Sequence, residues 1–107
     1  MQPDLYPKLV QLQGSLTVDR ALTLKQEMDA AFAAGNAIQF DFSQVEDLDL
    51  ACLQLLYAAT RLASKEGKEL HFRGSIPAKV SKRLLGCGIL RIDSQRAEDL
   101  ESALVSL

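Results

Sequence analysis

Four carboxylates, Asp41, Glu46, Asp47 and Asp49, fall within nine residues, with Ser43 among them and Cys52 three residues beyond. Such a cluster raises three chemistries: a divalent-cation site, a phosphorylatable hydroxyl and a nucleophilic thiol. A cation site needs several oxygen groups converging on one point, whereas Asp41 is read as ending a strand and pointing away from the others. Phosphate on Ser43 would add up to about two negative charges beside Asp41, Glu46 and Asp47, which would repel it. Ser43 is therefore expected to serve a turn or a cap. A thiol near a helix N-terminus can ionise easily, but acidic neighbours disfavour the thiolate, so Cys52 is expected to pack. Asp47 and Asp49 precede an apolar helical run and can accept its first N–H groups, which their charge favours.

The remaining candidates are sparse. His71, the only histidine, alternates with Leu70 and Phe72 and so belongs to the less apolar side of a strand, with no neighbour in sequence that would make a catalytic pair, and a surface imidazole is expected. Cys52 and Cys87 form no CxxC, no disulfide framework and no zinc-ligand spacing. There is no Gly-x-Ser-x-Gly elbow, no P-loop and no Gly-rich phosphate cradle. The expectation is a non-enzyme that needs neither cofactor nor metal.

The elements that position these residues alternate. Lys8 to Gln13 reads as a strand, Gly14 as a turn, and Ser15 to Val18 as a second strand completing a hairpin. Asp19 is a candidate N-cap for a helix carrying Ala21, Leu24, Met28, Ala31 and Phe32 at helical spacing, stopped by Gly35-Asn36. Ile38, Phe40 and Phe42 alternate with Gln39 and Asp41, a strand apolar on one face. An acidic turn, Ser43 to Asp49, then leads into a helix of about Leu50 to Lys65, whose polar stripe of Gln54, Arg61 and Lys65 is so narrow that burial on most sides is expected. Leu70 and Phe72 mark a fourth strand. Ser75 with Pro77 can open a third helix, Ile89 to Ile92 a short edge strand, and Ser94 a last helix with Ala97, Leu100, Leu104 and Leu107 as its stripe.

Two segments carry a family resemblance: Asp41-Phe42-Ser43 at the strand end, and Asp49-Leu50-Ala51-Cys52-Leu53 followed by Gln54-Leu55-Leu56 at the helix start. They resemble the Asp-Leu-Ser step and the Asp-Ser-Ser/Ala-Gly-Leu helix opening of the STAS domain, the module of anti-sigma-factor antagonists and sulfate-transporter tails. The resemblance implies an α/β STAS-like fold of order ββαβαβα(β)α, with a mixed sheet of four to five strands and about four helices. The sequence departs from the family where it matters most. Leu50 stands where phospho-switched members carry their serine, and Cys52 replaces the glycine. The usual kinase switch cannot operate on Leu50, because it has no hydroxyl.

What the resemblance implies is a protein-interaction module, its partner surface formed by Ser43, Asp47, Asp49, Leu50, Ala51, Cys52 and Gln54. Partners of the implied kinds are an anti-sigma factor or switch kinase, a chemotaxis-type sensory complex, or a related PP2C-type phosphatase pathway. Some stand-alone members without the serine resemble instead the accessory subunit of lipid-transporting ABC systems, which braces an ATPase. A small-ligand sensor is the weakest alternative, for want of a Gly-rich loop.

Composition agrees with a single domain over residues 1–107, large enough for its own core. Apolar residues make up 48% and charged residues 24%. The net charge of −2 argues against a nucleic-acid or anionic-membrane surface. No apolar run reaches the roughly 18 residues of a membrane span, and a cytoplasmic protein is expected. The polar strand face (Gln11, Gln13, Gln39, Asp41, His71, Arg73) and an edge strand near the N-terminus leave room for a homodimer.

Overall fold

The structure is a computed structural model and describes residues 8–107. Strand β1 (Lys8–Leu16) leads through a 3-10 turn (Val18–Arg20) to helix α1 (Ala21–Ala34). Strand β2 (Ala37–Leu48), helix α2 (Leu50–Glu66), strand β3 (Glu69–Arg73), helix α3 (Ala78–Gly86) and helix α4 (Ala97–Val105) follow. The three strands lie parallel in the order β1-β2-β3. Alternation then decides the architecture. Val10, Leu12, Ile38, Phe40, Phe42, Leu70 and Phe72 point to one face and are buried, while Leu9, Gln11, Gln13, His71 and Arg73 on the other are exposed. All four helices stack on the apolar face, giving two layers. At its centre Phe72 lies 5.8 Å from Phe40 and 4.9 Å from Phe42, ring centre to ring centre, spacings at which aromatic pairs attract.

The α/β class and the four helices agree with expectation, but the sheet does not. It has three parallel strands among the described residues, where a mixed sheet of four to five was expected. Gly14 makes no hairpin: with φ of +75° it sits inside β1, which continues alongside β2 to the Leu16–Leu48 pair. The two extra residues belong to β2 and are absorbed at the register shifts Gln11/Gln13 and Gly14/Ser15, while Gly14 stays within the strand, paired with Val45, where a turn was read. Nor is Ile89 to Ile92 a strand. The N–H groups of Ile89 and Leu90 both turn back to the Leu84 carbonyl (3.0 and 3.1 Å), closing α3 instead of extending a sheet. The one antiparallel contact among the described residues is the isolated bridge between Ser75 and Arg96.

Helix ends differ in the same local way. Asp19 lies within the 3-10 turn and caps nothing, and Ser75 is taken up by that bridge, leaving Pro77 to open α3. Helix α4 starts at Ala97; Ser94, buried before it, donates to Asp99 (2.5 Å) and accepts from the Arg96 N–H (3.1 Å). Its stripe holds at Ala97, Leu100 and Leu104, while Leu107 is exposed. Helix α2 is not buried on most sides. Cys52, Leu53, Leu56, Ala59, Thr60 and Ala63 face inward, yet Leu50 and Leu62 remain exposed. A two-layer protein offers α2 one sheet face, with α1 and α4 at its flanks, so its outer side stays open.

Candidate functional site

The segment read as an acidic turn is strand. Ser43 to Leu48 form the second half of β2, paired with β1 alone, since β3 pairs only with Ala37 to Asp41. Val45 and Leu48 are buried while Ser43, Gln44 and Glu46 are exposed, and this spacing broke the alternation on which the strand reading relied. Where β3 stops, Asp41 folds over its own chain. Its Oδ1 accepts both the Ser43 hydroxyl (2.6 Å) and the Ser43 N–H (2.9 Å). These bonds, the hydroxyl's foremost, hold the Asp41 carboxyl below the usual range. Gly74 lies against this pair with φ of +89°, and a Cβ there would come within 2.5 Å of Ser43 Oγ. Only glycine fits.

At the far end of β2, Asp47 accepts the Leu48 N–H (2.8 Å) and the Arg83 guanidinium (3.0 Å), with Lys79 at 3.8 Å. Those two bonds, the backbone one first, lower its pKa. Arg83 also donates to the Leu48 carbonyl (2.6 Å), tying α3 to the end of the strand. Asp49 then caps α2 by accepting the Cys52 N–H on Oδ1 (3.0 Å), while its Oδ2 accepts the Val18 N–H (2.7 Å). One carboxylate therefore holds the start of α2 to the 3-10 turn before α1. Cys52 is fully buried and donates to the Thr17 carbonyl (3.3 Å). Burial, with the Asp49 charge behind it, pushes its thiol up to about 11, so it belongs to the packing and not to the surface set in which it was placed.

Leu50 stands at the first position of α2 and is 62% exposed. Val18 and Leu22, four residues apart on helical backbone, are 65% and 68% exposed, and the Asp49 clasp brings Val18 beside the α2 start. Leu50 and Val18 thus lie at one end of the molecule, with Leu22 one helical turn beyond Val18. An isolated exposed leucine is unremarkable, but grouped ones mark a contact surface. Of the expected surface residues, Asp49, Leu50, Ala51 and Gln54 fall together here and Asp47 lies at the rim. Ser43 does not: it sits five strand residues from Leu48, roughly 16 Å away. Sequence reasoning missed Val18, which was read as strand, and missed Leu22 and Gly74. Lys79 and Arg83, the partners of Asp47, were missed as well. Among the described residues no group of three or more His, Cys, Asp or Glu converges as a metal site.

This geometry agrees with a comparison against known families. The model described as Mlab, STAS domain matches residues 5–85, three-quarters of the chain. The chain belongs to the STAS family. No curated protein matches it. STAS domains are in general interaction modules rather than enzymes, and this one presents at its α2 start an apolar surface without a hydroxyl. Among its described residues no helix is long and apolar enough to cross a membrane.

Proposed function

We propose that residues 1–107 act as one cytoplasmic, non-enzymatic STAS module that binds a protein partner without a phosphorylation switch at the α2 start. The observation that carries this reading is the exposure of Leu50 at the α2 start, next to which Asp49 holds the exposed Val18. In place of a serine that a kinase could charge, the first turn of α2 offers an apolar anchor, ringed by Asp47, Asp49, Ala51 and Gln54. Anchors of this kind in a polar rim dominate protein–protein affinity. Binding there is constitutive, governed by the partner's supply and not by a phosphate. The leading partner class is bacterial signalling: an anti-sigma factor, a switch kinase or a chemotaxis-type sensory complex. A second reading, an accessory subunit bracing the ATPase of a lipid-transporting ABC system, is favoured by the lost hydroxyl and by the Mlab description of the matching model.

The test is affinity capture from native extract with wild type and Leu50→Asp. Leu50 is exposed, so the substitution should change stability by no more than about 0.5 kcal/mol, checked by thermal unfolding. Capture of a signalling component that Leu50→Asp abolishes supports the first reading, and capture of a transporter ATPase supports the second. A partner retained by the folded variant removes the α2 start from the interface.

A further inference from the structure

Helix α3 is amphipathic with an outer face of one sign. Val80, Ser81 and Leu84 are buried, while Lys79, Lys82 and Arg83 are exposed, and the helix contains no carboxylate. Positions i, i+3 and i+4 share one helix face, so the three cations stand together and repel one another. Asp47 is the one carboxylate that reaches them among the described residues, 3.0 Å from Arg83 and 3.8 Å from Lys79. One negative charge thus answers two positive ones, and Lys82 joins no ion pair among the described residues. The face keeps an excess of positive charge on a chain whose net charge is −2.

That charge is held beside Leu50. Arg83 donates to the Leu48 carbonyl (2.6 Å), and Leu50 follows two residues later, at most about 7 Å along the chain. Strand β2 ends between two flanks: the 3-10 turn follows β1, its neighbour on one side, and α3 follows β3, its neighbour on the other. The 3-10 turn brings carboxylates, the exposed Asp19 and the Asp49 that clasps Val18, while Arg20 reaches toward Gly14. All these groups belong to the Leu16–Leu48 end of the sheet. Lys8, where the described residues begin, is eight strand residues away, roughly 26 Å. The signs decide the class of partner. A nucleic acid or an anionic membrane is negative over its whole surface and would meet Asp19, Glu46 and Asp49 as well. A protein segment can confine its carboxylates to the α3 side, and charge complementarity of that kind fixes its orientation.

We propose that the occupant of the α2 start is an acidic protein segment, with an apolar side chain on Leu50 and carboxylates laid along Lys79, Lys82 and Arg83. This rests on the interaction-module reading and names the chemistry of its partner. The test uses three labelled amphipathic peptides, each with leucines at helical spacing and a polar face of glutamate, glutamine or lysine, titrated against the full chain by fluorescence anisotropy. The glutamate peptide should bind about tenfold more tightly than the glutamine one, and the margin should shrink as salt is raised. The double variant Lys79→Glu, Lys82→Glu should turn the preference toward the lysine peptide, and Leu50→Ala should weaken the glutamate peptide. Both lysines are exposed, and a surface pair such as Lys79–Asp47 adds little stability, so the double variant should fold, as circular dichroism checks. Arg83, bonded to the backbone, is left in place. Equal binding of the peptides overturns the proposal, as does a preference that survives the charge reversal or binding that Leu50→Ala leaves untouched. Binding to phosphatidylglycerol vesicles that the charge reversal abolishes also overturns it, and makes the patch a membrane contact. In the capture experiment, a partner released by Leu50→Asp but kept by the charge reversal preserves the interaction module and removes its acidic partner.

Discussion

Cys52 and Cys87 carry the same group in opposite settings. Cys52 is fully buried with its thiol raised to about 11, whereas Cys87 is exposed just past α3. Only a thiolate attacks an alkylating reagent, and only where the reagent can reach. Native protein near pH 8 should therefore label once with iodoacetamide, at Cys87, and a second time only in denaturant; the counts are read by mass spectrometry, with Cys87→Ser silent until unfolded. Rapid labelling of native Cys52 would contradict its burial. Leu50 makes the complementary point. Its methyl groups cannot accept a phosphate, and its exposure leaves them available for contact.

Between elements, Asp49 carries an unusual share of the order. One carboxylate oxygen caps α2 and the other holds Val18, so the start of α2 and the turn before α1 share one support. Asp49→Ala should cost about 1–2 kcal/mol, near the upper end for a lost N-cap, because the Val18 N–H loses its partner as well. Chemical denaturation reads the cost. Hydrogen exchange should also quicken at Val18 and Cys52 together, and faster exchange at Cys52 alone would sink the shared clasp. The cap was legible in sequence, since Asp before an apolar helical run has one common use. Its second grip was not, because nothing local links Asp49 to Val18, 31 residues earlier. The hairpin reading of Gly14 failed for a related reason. A glycine held inside an irregular strand and one that turns a chain look alike until the partner strand is known. The second half of β2 was lost where two adjacent exposed residues, Ser43 and Gln44, interrupt the alternation. The helices were the most legible part, since their signal is repeated over several turns while a cap or bulge rests on one or two residues.

For the molecule as a whole, acid is the informative stress. Asp41 and Asp47 both titrate below the ordinary carboxylate value when folded, so the unfolded chain binds more protons than the folded one at low pH. Their contribution is fully present above the ordinary value, near pH 4, and is lost as pH falls through the lowered folded values. The unfolding midpoint in denaturant should be flat from pH 7 to 5 and decline below about pH 4. Asp41→Asn and Asp47→Asn should each make that decline shallower, and their effects should add because the two sites share no partner. A decline that neither variant alters would place the acid sensitivity elsewhere.

The family match ends at Leu85, yet α4 (Ala97–Val105) supplies Leu100 and Leu104 to the core and Glu101 to the Phe72 N–H. A polypeptide cut at the family boundary would keep every residue by which the family is recognised and lose the piece that insulates β3. An uncovered β3 flank is a template for pairing with a strand of another chain. The small C-terminal helix, outside the matched residues, is thus what keeps β3 from offering its backbone to another chain.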